Sequence, residues 1–296
     1  MTATVANTAQ AKHWNGTEGR HWAAAHERYE AMLGPFGAQA VDAVAIQPGE
    51  RVLDVGCGAG DVALAAARSA GPECRVVGVD LSVPMLETAR RRAAQAGLGN
   101  VSFVSGDAQT HGFGESEFDV VVSRFGVMFF ADPVAAFTNV VRALRPGGRL
   151  AFVCWQDAGV NEWMLVPSMA ALAHVPPPDP AVFETLLPFE FADTGRVTEI
   201  LQAAGFTDVT FRGIEQPLLF GGGGTIEDAV EFFRDGSFGT TLLAGAGQEE
   251  TTNALAAVTE ALSAHLTPRG VELGAAAWLV TASAPWTCLL ASPATS

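Results

Sequence analysis

The sequence predicts an α/β protein built on a doubly wound sheet, on three observations. Residues 52–60, VLDVGCGAG, join a short apolar strand (Val52, Leu53, Val55) to a turn of alternating glycines. The run from Asp61 to Arg68 then opens a helix, which gives the strand, turn and helix order of the first unit of such a sheet. Further apolar strands follow at 75–80 (RVVGVD), 101–108 (VSFVSGDA) and from Phe118 (FDVVVSRFGVMFF). In this architecture a ligand sits at the carboxyl ends of the strands, and Gly56, Gly58 and Gly60 let backbone approach it with no Cβ in the way.

Taken in order, the first dozen residues, MTATVANTAQAK, have no apolar core and read as a loose tail. Residues 13–46 read as one or two helices broken at Gly34-Pro35. His13, His21, His26, Trp14, Trp22 and Tyr29 fall in this segment, where the aromatic rings either help close a site or dock helices onto the core. In the glycine turn Asp61 occupies the third glycine position of a dinucleotide fingerprint. With Asp54 before the turn, that carboxylate repels a pyrophosphate and suits a ligand carrying positive charge. The second strand ends in Asp80, twenty residues after Gly60, where an acid can accept two hydrogen bonds from a ribose diol. The third strand ends at Asp107 and Ala108, and the fourth runs into a loop at Ser123–Gly126. Arg145–Gly148, RPGG, reads as a turn into a fifth strand, RLAFVCW. A helix at 194–204, a sixth strand at about 207–212 and a last strand at 277–282 complete the core.

Asp54-Val-Gly56-Cys-Gly58-Ala-Gly60 carries a D-x-G-x-G-x-G signature, and at this point the chain resembles the class I S-adenosylmethionine-dependent methyltransferases. S-adenosylmethionine has a sulfonium and an ammonium and no phosphate, which suits the acidic turn. The run SRFGVMFFADPVAAF, Ser123 to Phe137, is most similar to the ubiquinone/menaquinone-methyltransferase-like bacterial group. The resemblance implies a Rossmann-like, seven-stranded doubly wound sheet with the last strand antiparallel, plus an N-terminal helical cap and an inserted lid. It implies S-adenosylmethionine as cofactor, S-adenosylhomocysteine as product, and no metal. It assigns Asp80 to the ribose, Leu81 and Met85 to the adenine face (Met85 reads equally as helix core), and Asp107 with Ala108 to the adenine edge. It places Ser123 with the methionine part and Arg124 and Phe125 near the methyl acceptor, although Arg124 also reads as the partner of a local acid. Trp14 and Trp22 are expected to fold over the cofactor.

The implied division is a tail and cap at 1–44, a cofactor core at 45–155, an insertion at 156–193, core again at 194–213, a second insertion at 214–274, and the last strand with a tail at 275–296. The two insertions read together as a substrate lid, with the glycine run Gly221–Gly224 as its hinge. The first is rich in apolar side chains, among them Trp163, Met164, Leu165, Met169, Phe183, Leu186 and Leu187, and carries few bases. A large, mostly apolar and not strongly anionic acceptor follows: polyketide, terpenoid, aromatic or quinone-like. An hydroxyl acceptor would need a base, and His174, His26 and Glu162 are the candidates, in that order.

Some 296 residues, 49% hydrophobic, suffice for a substantial core. The formal net charge of −15 argues against a nucleic-acid partner, and the one basic run, Arg90-Arg91-Arg92, reads as a solvated helix face. No apolar stretch of membrane-spanning length occurs, and a cytoplasmic location is expected. Cys57, Cys74, Cys154 and Cys288 are scattered, without C-x-x-C spacing, so neither metal nor disulfide is required. A homodimer through the cap or lid is compatible with this plan. The rival expectation is a cyclase or pericyclase on the same fold, binding S-adenosylmethionine for structure alone.

Overall fold

The structure is a computed structural model and describes residues 5–179 and 188–286. Phe183, Leu186, Leu187 and Cys288 lie outside the described residues. Three helices lead: α1 (Thr8–Asn15), α2 (Thr17–Ala24) and α3 (His26–Val44). The expected break at Gly34-Pro35 is absent, and α3 runs straight through Pro35. The clash that usually ends a helix before proline falls partly on the preceding Cβ, and Gly34 has none. The breaks fall instead at Gly16 and Ala25.

The core alternates β1 (Arg51–Val55), α4 (Asp61–Ser69), β2 (Arg75–Asp80), α5 (Val83–Gln95), β3 (Val101–Ser105), β4 (Phe118–Arg124), α6 (Pro133–Ala143) and β5 (Leu144–Trp155). After it come α7 (Glu162–Leu172), α8 (Thr194–Ala203), β6 (Thr207–Leu219), α9 (Ile226–Asp235), α10 (Ser237–Leu243), α11 (Gln248–Ser263), β7 (Leu266–Thr267) and β8 (Gly270–Ser283). The sheet runs β3-β2-β1-β4-β5-β8-β6, with β7 paired to β8. β3 through β5 are mutually parallel, and β8 is antiparallel to both β5 and β6. The expected seven strands, the last of them antiparallel, are therefore present, and the two-residue β7 is added. Val52, Leu53, Val120, Phe152 and Val153 are fully buried along its centre.

Two strand lengths differ from expectation. RPGG is a bulge inside β5: Phe118 pairs with Leu144 and Val120 with Arg149, and the residues between them loop out at Gly147, whose φ is 74°. β6 and β8 are far longer than their sequence cores and stay paired to Leu219↔Glu272. Pro217 is tolerated because β6 is the edge strand. The second insertion thus leaves and re-enters the sheet on a paired ribbon. Its glycine run, expected as a hinge, forms a turn held by Arg28. All four residues have positive φ, and the Arg28 guanidinium donates to the Gly221 and Asp228 carbonyls, each at 2.6 Å.

Candidate active site

Strand order reverses between β1 and β4, and here the loops after the two strands meet. Gly56 has φ 68°, and a Cβ on it would stand 2.7 Å from the Gly126 Cα, so backbone lies directly on backbone. A cavity of about 550 Å³ opens at this junction. One end is lined by Asp54, Gly56, Gly58, Asp80, Leu81 and Met85, the other by Phe125, Trp155, Trp163, Pro167, Phe232 and Phe238. Trp14 and Trp22 close it from the cap.

Asp80 holds the glycine loop in shape. Its Oδ2 accepts from the Gly58 amide at 2.8 Å and its Oδ1 from the Ser82 amide at 2.7 Å. Each oxygen keeps a lone-pair direction for a further donor. Asp54 is 1% exposed, and neither carboxylate oxygen has a well-formed hydrogen-bond partner among the described residues, although the Ala63 amide pulls on the carboxylate. Burial pushes it up to about 7, against the pull of the Arg124 charge. A cation arriving beside it favours the ionised form. Affinity for a cationic ligand is therefore expected to tighten as pH rises through about 7 and then level off, with a proton released on binding. Calorimetry in buffers of different ionisation enthalpy checks this, and Asp54→Asn should flatten the profile. For folding alone the sign is opposite: native Asp54 keeps a proton that the unfolded chain has lost, so its contribution weakens as pH rises through this window.

The carboxylate of Asp61, read from sequence as facing a cationic ligand, is instead neutralised by the protein. Arg124 bridges it at 2.9 Å and Glu30 at 2.5 Å, and Arg92 reaches Asp61 at 2.5 Å. Burial raises Asp61, but the two guanidinium groups outweigh it and hold the carboxyl below its ordinary value. Burial prevails at Glu30, whose pKa is raised. Arg92, read as part of a solvated face, lies under the glycine loop and also donates to the Ala59 carbonyl at 2.7 Å. Of the two expectations for Arg124, the local acid pairing is present, and the side chain also lines the cavity.

Other expected site residues divide. Ala108 lines the cavity. Ser123 does not: its hydroxyl is fully buried and donates to the Val55 carbonyl at 2.7 Å, tying β4 to β1. Gly60 also lies behind the site, its φ of 89° starting α4 while it packs on Ala89 and Phe103. Phe125 adopts φ 56°, rare for a bulky side chain, and stacks on Trp155 with centroids 4.0 Å apart. Trp163 is held by Asn161, whose Oδ1 accepts its indole N–H at 3.0 Å, and packs on Trp155. Asn161 is fully buried and bonds Ala276 on β8 as well; nothing in the sequence marked it.

His174, the first candidate base, is exposed beyond the end of α7 and does not line the cavity. Glu162 is exposed too, its carboxylate accepting from the Gly274 amide at 2.8 Å. His26 does line the cavity, with its Nδ1 3.2 Å from the Ala23 carbonyl. Tyr29, three residues on along α3, stacks on Trp22 at 3.5 Å. Asp107 lies at the cavity wall, and the N-terminal segment fills its lone pairs: Ala6 and Asn7 amides donate to Oδ2, each at 2.9 Å, and the Asn7 Nδ2 and Gln109 amide donate to Oδ1 at 2.7 and 3.0 Å. The tail read as loose is thus fixed from Ala6 onward. Among the described residues no cluster of side chains could hold a metal ion, and no helix is long and apolar enough to cross a membrane.

A glycine loop at the switch point, an acid ending β2 and a capped cleft are the features with which the doubly wound α/β class holds its ligands. A methyltransferase-domain model matches residues 52–148. Nocamycin O-methyltransferase of Saccharothrix syringae is 34% identical over 183 residues, 59% of this chain and 65% of that one. Demethylmenaquinone methyltransferase of Listeria monocytogenes serotype 4a is 31% identical over 56% of this chain and 73% of its own length. The YcgJ protein of Bacillus subtilis shares the fold, with a TM-score of 0.52 at 19% identity over 84% of this chain and 97% of that one. The chain belongs to the class I S-adenosylmethionine-dependent methyltransferases. It spans just under two thirds of the length of the nocamycin enzyme.

Proposed function

We propose that the chain transfers the methyl group of S-adenosylmethionine to O, N or C of a small, largely apolar metabolite of polyketide or quinone type. The observation that carries this reading is one continuous cavity with two unlike ends, an acidic glycine-loop end and an aromatic end. The sulfonium and ammonium suit Asp54 and the acidic end, and stacked rings such as Phe125 and Trp155 suit a flat acceptor. Asp80 takes the ribose diol, and Leu81 and Met85 the adenine face. The acceptor attacks the methyl carbon as the carbon–sulfur bond breaks, and the electron pair stays on sulfur to give S-adenosylhomocysteine. Alignment within the cavity supplies much of the acceleration, on the order of 7–11 kcal/mol for well-oriented reactants. The nocamycin and demethylmenaquinone enzymes are named for small-molecule acceptors, which supports the substrate class. The proposed compartment is the cytoplasm, in keeping with free, buried Cys57, Cys74 and Cys154.

For an hydroxyl acceptor His26 is the base. With Nδ1–H donated to Ala23, Nε2 keeps its lone pair for the acceptor proton. His26→Ala is expected to slow methylation of such an acceptor by about 10²–10⁴-fold. Calorimetry should give an unchanged Kd for S-adenosylmethionine, and loss of both together would assign His26 to the cofactor instead.

The founding test incubates the protein with S-adenosylmethionine carrying a deuterated methyl group and fractionated bacterial metabolites, read by mass spectrometry. A labelled metabolite with stoichiometric S-adenosylhomocysteine is expected. Bound cofactor with no label moved, and an unlabelled isomer formed, would instead make the protein a cyclase.

A further inference from the structure

We infer that Asp107 is the anchor of a lid over the cofactor cleft and not the reader of the adenine amino group, and that Asn7 is the latch. The inference rests on the reading of the cavity as an S-adenosylmethionine site. A carboxylate offers about four lone-pair directions. Two donors on each Asp107 oxygen, three of the four supplied by Ala6 and Asn7, use them all. Asn7 is held at both ends of its carboxamide, because its Oδ1 also accepts the Ala131 amide at 2.5 Å. Its carboxamide therefore bridges the loop after β3 and the loop before α6. Asn7 is 4% and Asp107 2% exposed, so this is a buried polar joint whose donors would be orphaned if the acid turned away.

The segment is fastened a second time beside Asp80. The Asn15 carboxamide donates to the Leu81 carbonyl at 2.9 Å and accepts the Val83 amide at 3.0 Å. Ser82 Oγ donates to the Trp14 carbonyl at 2.7 Å. Gly19 closes this end: a Cβ there would lie 1.7 Å from the Trp14 carbonyl oxygen, so α2 sits against the end of α1 with no room for a side chain. Between the two fastenings Ala9, Gln10, His13 and Trp14 form a wall of the cavity. A nucleoside gripped by Asp80 lies behind this strap and cannot leave until one end lets go. The Asn7 end is the releasable one, because the other is continuous with the packing of α2 on α5.

Two consequences separate this arrangement from adenine reading. An exocyclic amino group arriving at Asp107 finds no free lone pair, so the purine 6-position is not selected there. Opening of the Asn7 joint also controls both entry and exit of the cofactor. The first experiment compares S-adenosylhomocysteine with its analogue bearing hydrogen at purine C6, on the intact wild-type chain by calorimetry. Affinities within about threefold are expected, and a larger loss would overturn the inference, since a charge-assisted bond to the amino group is worth more than that. The second measures S-adenosylhomocysteine exchange by stopped flow. Asn7→Ala should raise the association and dissociation rates together, each by about tenfold or more, because a lid bars both directions.

An unchanged dissociation rate, or one raised with association unaltered, would make Asn7 an ordinary contact and overturn the latch. Asn15→Ala, at the fastening that does not release, should leave both rates within about threefold of wild type. A rise of about tenfold there would mean that any loosening of the strap speeds exchange, and would overturn the assignment of the latch to Asn7. Failure of the wild-type chain to bind S-adenosylhomocysteine at all would defeat the cofactor reading itself, a different result from either.

Discussion

Arg124→Leu is expected to remove about 3–5 kcal/mol of folding stability, toward the lower end of that range. The guanidinium is 12% exposed and stands between Asp61, 4% exposed, and Glu30, 40% exposed. Leucine fills the volume but leaves two carboxylates without their shared partner, and an uncompensated buried charge costs far more than the intact pair contributes. Arg92 keeps its hold on Asp61, which limits the loss. Arg51→Leu removes an ion pair with Glu117 in which both side chains are substantially exposed, and should cost less than about 1 kcal/mol. Denaturant melts of the two variants check the contrast. Because Asp61 is held below its ordinary value, its share of the stability is present above the unfolded pKa and is lost as pH falls through the folded one.

Asp80→Ala should weaken S-adenosylmethionine binding by at least about 1.5–3 kcal/mol, roughly 10- to 160-fold in Kd. Loss of the proposed bonds to the ribose diol accounts for that much. The Gly58 and Ser82 amides lose their acceptor in the same stroke, so the glycine loop becomes less ordered before any ligand arrives. Asp80→Asn retains one acceptor oxygen and should fall between. Calorimetry that returned a wild-type Kd for the alanine variant would remove Asp80 from the site.

What could be read in the chain beforehand tracks the range over which each feature is determined. Asp54, the glycine turn and Asp80 depend on short apolar strands and their carboxyl ends, and period and composition reveal these locally. The sequence puts His174 ahead of His26, but only His26 lines the cavity, because that depends on how α3 and the end of α7 pack against it. Arg92 looked like one of three equivalent cations, and only the approach of α5 to the glycine loop singles it out. The length of β6 was hidden by Pro217, whose tolerance depends on lying at the sheet edge. Asn7 had a faint local signal, as an asparagine immediately preceding a helix, although its bonds go to residues about a hundred positions away.

The ribbon formed by β6 and β8 makes the second insertion a natural cassette. Its chain ends emerge side by side at Leu219 and Glu272, already in register, while Asp54 and Asp80 belong to other strands. Phe232, Phe233, Ser237 and Phe238, all in the cassette, face the aromatic end of the cavity. Lineages could therefore diversify their acceptors by recombination at this one junction, and an engineer could graft a foreign segment between the same two positions. The graft would need to preserve the grip of Arg28 on Gly221 and Asp228 and the bond between Glu18 and Ser237, which register the cassette against the cap.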